Sequence, residues 1–321
     1  MTTRVVALSG GVGGAKLALG LMHAVPGPEL LVVANTGDDF VHLGLTVCPD
    51  IDSVTYALAG LNDLERGWGR KDETWTFMSA LGGIGGETWF NLGDGDLAMH
   101  VMRSHRLRIG KTLSTVTAEL TSSLGIPARI LPMSDDRVAT IVETSDGPLA
   151  FQHYFVRERC EPTVNGFRFE GADSARPHPD FLAALADPDL EAVVITPSNP
   201  FVSVDPILSM PGVRDALAAC AAPVVAVSPI VGGKAIKGPA AKMFRELGFT
   251  ASALEVARHY AGLIDGFVFD TVDAGAEPDI RDLGLATLFT DTIMGSLDDR
   301  RRLAADVRGF AAGLGKGSAN Q

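Results

Sequence analysis

A glycine-rich loop near the N-terminus contains residues that suit phosphate binding. It covers residues 9–16 (SGGVGGAK), between an apolar run and a segment whose apolar residues have helical spacing. Backbone N–H groups at a helix N-terminus attract an anion, and glycine lets a phosphate approach the backbone because it has no Cβ. We therefore expect Gly11, Gly13, Gly14 and Lys16 to bind a phosphate or a nucleotide. The alternative is a strand-to-helix turn whose glycines serve only packing.

The loop matches neither of two common phosphate-binding fingerprints. A Walker loop requires glycine and a Ser or Thr on either side of its lysine, where this chain has Ala15 and Leu17. A dinucleotide fingerprint requires its third glycine where this chain has Lys16. The loop therefore excludes an ordinary Walker-type ATPase and an ordinary dehydrogenase.

Acidic residues follow the second apolar run of the chain, at 29–35. Asp38 and Asp39 come first, and Asp50 and Asp52 follow a Cys-Pro pair. In open α/β sheets the ligand lies at the carboxyl ends of the strands, and hard cations such as Mg²⁺ take oxygen ligands. We expect at least one of these four carboxylates to bind Mg²⁺. The alternative is that Asp50 and Asp52 cap a helix and that the other two form a solvated turn.

Two aromatic residues precede an acidic helix start in the middle of the chain. Trp89 and Phe90 lead into a Gly-Asp-Gly-Asp turn and a helix that contains His100. The pair can form a platform for a flat heterocycle, or it can pack the helix start while the aspartates cap it. The residues alone favour the packing interpretation, and they leave the catalytic role of His100 open.

Two later loops add polar and basic residues after further apolar runs. Ser198 and Asn199 suit contacts to a nucleobase or a phosphate. The segment 228–239 contains Gly232, Gly233 and Lys237 just before a predicted helix, which again suits an anion. The alternative for its lysines is an ordinary solvated surface.

The elements that position these loops predict an α/β fold. The predicted strands are 4–8, 29–35, 191–196, 223–227 and 266–269, and the predicted helices of the same layers are 15–25, 205–221, 239–247 and 254–263. Strands that alternate with helices build a doubly wound, Rossmann-like and mostly parallel sheet. We expect 266–269 to be its last strand.

The residues between these two groups have a different pattern. Helices are predicted at 97–107 and 113–124, and short antiparallel strands at 128–133, 138–144, 148–154 and 166–169. We therefore predict a Rossmann-like nucleotide-binding core of residues 1–60 and 185–321. Residues 61–184 form an inserted helical cap with small antiparallel strands, which contacts the substrate. We expect the tail, 314–321, to fray.

Composition excludes several classes of protein. The 321 residues carry a formal charge of −12, whereas nucleic-acid binding needs a basic surface. No run approaches the roughly 20 apolar residues of a membrane span. The three cysteines lie far apart in sequence, which fits neither a disulfide framework nor a zinc site. We expect a cytoplasmic protein without nucleic-acid or membrane partners.

Taken together, the motifs resemble the 2-phospho-L-lactate transferase (CofD/FbiA) family over essentially the whole chain. They are GGVGGAK at 10–16, NTGDD at 35–39, CPDIDS at 48–53, WFNLGD at 89–94, PSNP at 197–200 and SPIVGGKAIKGP at 228–239. The resemblance implies transfer of a 2-phospholactyl or enolpyruvyl-phosphate group from a guanosine-diphosphate-linked donor to the hydroxyl of a deazariboflavin. It also implies release of GMP, use of Mg²⁺, a role in coenzyme F-420 biosynthesis and a homodimer.

The resemblance assigns roles to matching positions. The nucleotide or phosphate site would comprise Gly11, Gly13, Gly14, Lys16, Asn35, Ser198, Asn199, Gly232, Gly233 and Lys237. Asp38, Asp39 and Asp50 would be metal ligands and catalytic residues, and the division of these roles stays open. Asp50, Trp89, Phe90 and Asn91 would contact the deazaflavin. Many relatives have RLGDRD where this chain has NLGDGD at 91–96, so two positive charges are absent near the acceptor.

Two distinctions within the resemblance remain. Abundant alanine and arginine with few lysines suggest an actinobacterial coding bias, for which the donor would be the enolpyruvyl form. A related branch of the same fold binds UDP-sugars and has a regulatory role without phosphotransfer. The Trp-Phe segment favours the transferase, and a preference for guanine over uracil would distinguish the two.

Overall fold

The computed structural model describes residues 3–315. The strands are β1 (Val5–Ser9), β2 (Leu30–Ala34), β3 (Phe40–His42), β4 (Leu45–Val47), β5 (Arg129–Pro132), β6 (Ala139–Thr144), β7 (Gly147–Ala150), β8 (Val164–Glu170), β9 (Ala192–Ile195), β10 (Val224–Val227), β11 (Ile230–Val231), β12 (Lys234–Ala235), β13 (Gly266–Asp270) and β14 (Ala286–Thr290). The helices are α1 (Gly11–Ala24), α2 (Pro49–Leu58), α3 (Thr76–Gly83), α4 (Asp94–Arg108), α5 (Leu113–Ser123), α6 (Pro179–Leu185), α7 (Asp205–Leu208), α8 (Val213–Ala219), α9 (Ala240–Glu246), α10 (Ala253–Tyr260), α11 (Glu277–Arg281) and α12 (Leu297–Gly313).

Seven of the strands form one parallel sheet in the order β14-β13-β10-β9-β1-β2-β5. Strand β1 lies at its centre and is fully buried, because helices cover both faces. Its side chains alternate between the faces: Val5 joins the core beneath α1 and α12, and Val6 joins the core beneath α6, α9 and α10. The predicted doubly wound, Rossmann-like fold is confirmed.

The strand order reverses direction at β1. The chain proceeds from β1 outwards through β2 to β5, and then returns to place β9 on the other side of β1. The helices that follow β1 and β9 pack on opposite faces of the sheet, so the two loops diverge at its carboxyl edge. Ligands of open α/β sheets bind at such a reversal point.

Three smaller antiparallel sheets accompany the main one. They are β3–β4, β11–β12 and the three-stranded sheet β7-β6-β8. Val142 of β6 and Val164 of β8 belong to the same buried core as Leu31 of β2. The small three-stranded sheet therefore packs directly on one face of the main sheet. The division of the chain into a core and a cap stays a prediction.

Several predicted elements differ from the structure. The run at 128–133 contributes β5 to the edge of the main parallel sheet and is not an antiparallel strand. The run at 148–154 ends as a strand at Ala150, and a wide helical turn, His153–Arg157, follows it. The predicted helix at 205–221 is divided into α7 and α8, because Gly212 has a φ of +78°.

The end of the chain also differs from the prediction. The strand β13 is not the last one, because β14 and α12 follow it. Helices α4 and α5 confirm the two predicted helices of the middle segment. The predicted fraying of the tail falls largely on residues 316–321, outside the described residues. Within 3–315 we find no helix with the length and apolar character that a membrane crossing requires.

Candidate active site

The glycine loop is fixed by the loop that follows β9. The Gly10 N–H donates a hydrogen bond to Ser198 Oγ (3.1 Å), and that hydroxyl donates to the Gly10 carbonyl (2.8 Å). Helix α1 begins at the next residue, Gly11, which has a φ of +64°. One buried serine thus joins the two loops at the reversal point of the sheet. The sequence predicted that these loops lie at the same edge of the sheet, and the structure adds the contact between them.

The glycines of this loop have different physical requirements. A Cβ on Gly13 would collide with the Pro197 carbonyl, and one on Gly14 would lie 2.5–2.7 Å from three side-chain hydroxyls. These two residues allow α1 to pack closely on the sheet. A Cβ on Gly11 would meet no atom of residues 3–315 within 4 Å, so its surroundings leave room for a ligand.

Asp50 connects the glycine loop to the end of β2. Its Oδ1 accepts a hydrogen bond from the Gly11 N–H (2.6 Å), and its Oδ2 accepts one from Asn35 Nδ2 (2.9 Å). Asn35 is itself fixed, because its Oδ1 accepts the Gly37 N–H (2.8 Å). Asp50 lies in the first turn of α2, which begins at Pro49. Residues that are 39 positions apart in sequence therefore form one buried polar site.

The carboxylates of this site are buried close together. Burial raises the pKa of Asp50 to about 6, although the hydrogen bonds from Asn35 and Gly11 oppose the rise. Burial, followed by the charge of Asp50, raises the pKa of Asp38 well above its ordinary range. Burial also raises the pKa of Asp39. The folded chain thus concentrates negative charge that favours either a proton or a cation.

The donor atoms here fit a hard cation such as Mg²⁺. The Oδ1 atoms of Asp38 and Asp39 are buried, and neither has a hydrogen-bond partner among the described residues. A buried carboxylate oxygen without a donor is unfavourable, and a cation that binds oxygen ligands would stabilise it. The assignment of Asp38, Asp39 and Asp50 as joint metal ligands stays a prediction, because the described residues whose three ligand atoms lie within 4.8 Å of one another are others, Asp52, Asp96 and His100.

A second buried group could also hold a metal ion. Ligand atoms of Asp52, Asp96 and His100 lie within 4.8 Å of one another. Arg103, however, binds both carboxylate oxygens of Asp52, and it is only 1% exposed. Although burial opposes it, the charge of Asp52 raises the pKa of this guanidinium. An arginine that already neutralises Asp52 disfavours a second cation at the same place.

His100 is part of this hydrogen-bonded network. Its Nε2 lies 3.3 Å from Asp96 Oδ2, and its Nδ1 lies 3.3 Å from the guanidinium of Arg103. Tyr56 donates to Asp96 Oδ1 at 2.5 Å. The network joins α2 to α4, and His100 is packed within it between Asp96 and Arg103. A packed histidine is the interpretation that the residues alone favour.

Aromatic rings form a cluster next to the acidic loop. Trp89 and Phe90 pack against Phe40, with ring centroids 5.9 and 4.9 Å away, and Trp89 also contacts His42 and His153 at 5.1 and 4.9 Å. Phe40 directly follows Asp39 in the chain, so the cluster borders the carboxylates. Asn91 is exposed beside it. The cluster offers aromatic faces to a flat heterocycle.

The acidic turn at the start of α4 has a capping role. Asp94 accepts hydrogen bonds from the backbone N–H groups of Thr76 and Phe77, which begin α3. Glu73 in turn accepts those of Gly95 and Asp96, which begin α4. A carboxylate of α4 thus caps the start of α3, and a carboxylate just before α3 caps the start of α4, which stabilises both helices.

Three further residues predicted for the nucleotide site, Asn199, Gly232 and Gly233, lie in the two late loops and take part in turns. Asn199 accepts the Phe201 N–H (3.1 Å) and caps the turn that follows β9. Gly232 and Gly233, with φ values of +55° and +74°, form the turn between β11 and β12, and the Gly232 N–H donates to Asp273 (2.9 Å). These two glycines adopt the positive φ angles of the hairpin turn, so the turn by itself explains why glycine occurs at both positions.

The sequence of the chain is similar to those of proteins with known activities. The sequence model of the family described as "2-phospho-L-lactate transferase CofD" matches residues 5–282. The chain belongs to the CofD family. A "Phosphoenolpyruvate transferase" of Streptomyces griseus is 42% identical and covers 94% of this chain and 96% of its own. A "2-phospho-L-lactate transferase" of Methanosarcina barkeri is 39% identical, with 95% and 98% covered.

A solved structure supports the fold of this CofD member. A Bacillus halodurans protein of the UPF0052 family has a TM-score of 0.62 over 96% of this chain and 99% of that one, at 16% identity. That similarity concerns the fold alone. The CofD membership and the named relatives make the chain an enzyme, a transferase of phosphorus-containing groups.

Some residues of the site were missed by sequence reasoning. Arg103 lies one helical turn after His100, and this spacing is the only signal that could have linked it to Asp52. Glu73 caps a helix from 22 positions away, which no local pattern reveals.

Proposed function

We propose that the protein transfers an enolpyruvyl-phosphate (or 2-phospholactyl) group from a guanosine-diphosphate-linked donor to a deazaflavin. The acceptor is the hydroxyl of 7,8-didemethyl-8-hydroxy-5-deazariboflavin, GMP is released, and the reaction belongs to coenzyme F-420 biosynthesis. The observation that carries the proposal is the position of Asp50. It is a buried carboxylate, bound to the N-terminus of α1 and to Asn35, at the reversal point of the sheet.

The surroundings of Gly11 support a phosphate of the donor at this place. Gly11 begins α1 in open space, and a helix N-terminus favours an anion. Ser198 lies beside it and holds Gly10 through two hydrogen bonds. We therefore propose that the donor lies over Gly11, at the carboxyl edge of the sheet, beside the joined loops that follow β1 and β9.

The aromatic cluster supports a flat acceptor. Trp89, Phe90 and Phe40 are within 6 Å of one another by ring centroids, and Phe40 adjoins the acidic loop. We propose that the deazaflavin ring contacts Trp89 and Phe90, with Asn91 at the exposed edge. This arrangement would place the acceptor hydroxyl towards Asp50.

Mg²⁺ is the cation that we propose for the carboxylates. Asp38 and Asp39 would hold it through oxygens that have no other described partner, and Asp50 is the third candidate ligand. When bound, Mg²⁺ neutralises negative charge on the phosphate oxygens. Arg103, which binds Asp52, also lowers the pKa of Asp39 through its charge, so Mg²⁺ would complete a neutralisation that this arginine begins.

The transfer balances as a substitution at phosphorus. The acceptor oxygen forms a bond to the phosphorus that carries the enolpyruvyl or lactyl group, and the bond from that phosphorus to the GMP phosphate breaks. The hydroxyl proton passes to Asp50, which is ionised above its pKa of about 6. The Gly11 N–H and Asn35 hold this carboxylate in one orientation for the proton transfer.

Two further proposals concern the state of the protein. We propose a homodimer in the cytoplasm, where the nucleotide donor is available. Sedimentation of the purified protein over a range of concentrations tests the dimer, and a monomer at every concentration would contradict it.

A transfer assay tests the proposed function. The purified protein is mixed with Mg²⁺, the deazariboflavin and either enolpyruvyl- or lactyl-diphosphoguanosine, and GMP is measured by chromatography. We expect GMP only when the acceptor is present. A matched mixture without the acceptor controls for hydrolysis. Failure with both donors, together with binding of UDP-sugars but not of GDP, would contradict the proposal and favour a regulatory sugar-nucleotide binder.

A further inference from the structure

A buried histidine lies inside the aromatic cluster beside the acidic loop. His42, the last residue of β3, is only 3% exposed. Its ring centroid lies 5.1 Å from that of Trp89, 5.9 Å from that of Phe90 and 6.1 Å from that of Phe40. The acceptor contacts proposed for Trp89 and Phe90 give this imidazole no role.

The Nε2 atom of His42 is buried and has no hydrogen-bond partner among the described residues. Burial lowers the pKa of His42, and the charges of His153 and His100 lower it further, whereas that of Glu87 opposes the change. The imidazole is therefore neutral at neutral pH, with one nitrogen that donates a hydrogen bond and one that accepts. A buried polar atom without a partner is unfavourable for folding, so a bond to a ligand would explain its presence.

The chain holds His42 in a fixed position. Strand β3 forms a hairpin with β4, in which His42 pairs with Leu45. Helix α4 fixes this hairpin, because the Thr46 N–H donates to Ser104 Oγ (2.7 Å) and the guanidinium of Arg103 donates to the Thr46 carbonyl (3.4 Å). The imidazole is thus positioned before a ligand binds, which lowers the entropic cost of forming a bond to that ligand.

The surroundings of His42 indicate which part of a flat ligand it can bind. Its imidazole is set among the rings of Phe40, Trp89 and Phe90. The pyrimidine end of a flavin-like ring carries several carbonyl and N–H groups, each of which needs a partner when it is buried. The benzenoid end of a hydroxylated flavin carries a single polar atom on an apolar edge. One buried nitrogen among aromatic rings therefore matches the benzenoid end.

We propose that the 8-hydroxyl of the acceptor ring donates a hydrogen bond to His42 Nε2, which makes His42 the residue that selects hydroxylated flavins. The inference rests on the proposed function in taking the acceptor to be an 8-hydroxy-5-deazaflavin. It adds specificity to the contacts of Trp89 and Phe90, because those rings can contact any flat heterocycle. An analogue without the hydroxyl leaves Nε2 unpaired, and sites built to bind a substrate hydroxyl reject such analogues for this reason.

Calorimetric binding of two flavins tests the inference. One is the 8-hydroxy-deazariboflavin acceptor. The other is 5-deazariboflavin, which has the same pyrimidine end and side chain but carries methyl groups at positions 7 and 8 and no ring hydroxyl. We expect the wild type to prefer the hydroxylated ligand by roughly tenfold or more. His42→Phe should bind that ligand roughly ten- to hundredfold more weakly, because its hydroxyl is left unpaired, and should bind 5-deazariboflavin as well as the wild type does.

Two further variants show whether the effect comes from the hydrogen bond. His42→Gln places an amide near the position of Nε2 and should keep most of the preference for the hydroxylated ligand. His105→Phe is the matched control, since His105 is exposed on α4, and it should bind both ligands as the wild type does.

Thermal unfolding supplies a second measurement. His42→Phe should unfold at the wild-type temperature or higher, because the substitution removes a buried atom that has no partner in the described part of the chain. A lower unfolding temperature would show that His42 has a structural role and would contradict the inference.

The binding results distinguish this inference from the proposed function. If the wild type binds both flavins equally, or if His42→Phe keeps the preference for the hydroxylated one, the inference is wrong and the proposed function stands. Equal weakening of both ligands in His42→Phe would also contradict the inference, because the substitution would then not act through the hydroxyl. If the wild type binds neither flavin and forms no GMP from either donor, the proposed function is wrong and the inference falls with it.

Discussion

The substitution Asp50→Asn separates the catalytic role of this carboxylate from its structural one. The side chain keeps its size, but the amide accepts only one of the two N–H groups that Asp50 binds, those of Gly11 and Asn35. The lost charge-assisted hydrogen bond lowers the free energy of unfolding by roughly 1.5–3 kcal/mol. Removal of the buried charge of Asp50 raises the free energy of unfolding, by an amount that depends on how far Asp50 is ionised at the pH of the measurement.

The direction of the pH dependence follows from the raised pKa. Asp50 titrates at about 6 in the folded chain instead of its ordinary 3.8. The bound proton therefore stabilises the fold. This stabilisation is fully present below pH 3.8 and is lost as the pH rises through about 6. At 1.36 kcal/mol per pKa unit, the total is about 3 kcal/mol. The variant, which cannot titrate, should be close to wild-type stability at about pH 8 and clearly less stable at about pH 5.

Urea denaturation at both pH values measures the stability, and the transfer assay measures kcat. We expect kcat to fall by at least roughly a hundredfold while the Kd of GDP changes little. Asp298→Asn is the matched control, since that side chain is 91% exposed. A stability difference that does not change with pH would refute the raised pKa. A collapse of GDP affinity would place Asp50 in the metal or donor site instead.

Three further predictions concern packing, charge and the acceptor. Gly14→Ala should lower the free energy of unfolding by about 1–3 kcal/mol in urea denaturation, because its Cβ overlaps three hydroxyls, whereas Gly309→Ala in α12 meets nothing and should be neutral or stabilising. Arg103→Met should lower it by about 3–5 kcal/mol, since Asp52 is left buried and unpaired; a loss below about 1 kcal/mol would contradict that pairing. Trp89→Ala should raise the KM for the deazaflavin in steady-state kinetics and leave GDP binding unchanged, and an unchanged KM would remove Trp89 from the acceptor site.

The parts of the fold that the sequence predicted are those with the strongest burial. Strands β1 and β2 are buried on both faces, so each is a continuous apolar run that is easy to recognise. Strand β14 was missed because it lies at the edge of the sheet, where its side chains are only partly buried. The run that forms β5 was recognised as a strand, but its partner depends on the tertiary fold and not on its own residues.

The candidate site shows the same division. The loops at the ends of β1 and β2 were predicted to meet because parallel strands bring their carboxyl ends to one edge, and Asp50 does contact Gly11. The pairing of Arg103 with Asp52 and the capping of α4 by Glu73 depend on how separate segments pack. No spacing within one element specifies such contacts, so they were found only in the structure.

The mass of the deazaflavin product tests the central claim most directly. The wild-type protein is incubated with the deazariboflavin, Mg²⁺ and each guanosine-diphosphate-linked donor in turn, and the deazaflavin is analysed by mass spectrometry. We predict a product heavier by one enolpyruvyl-phosphate or one phospholactyl group, formed together with an equal amount of GMP. An unmodified deazaflavin with both donors, in a sample that binds GDP, would contradict the proposed transfer.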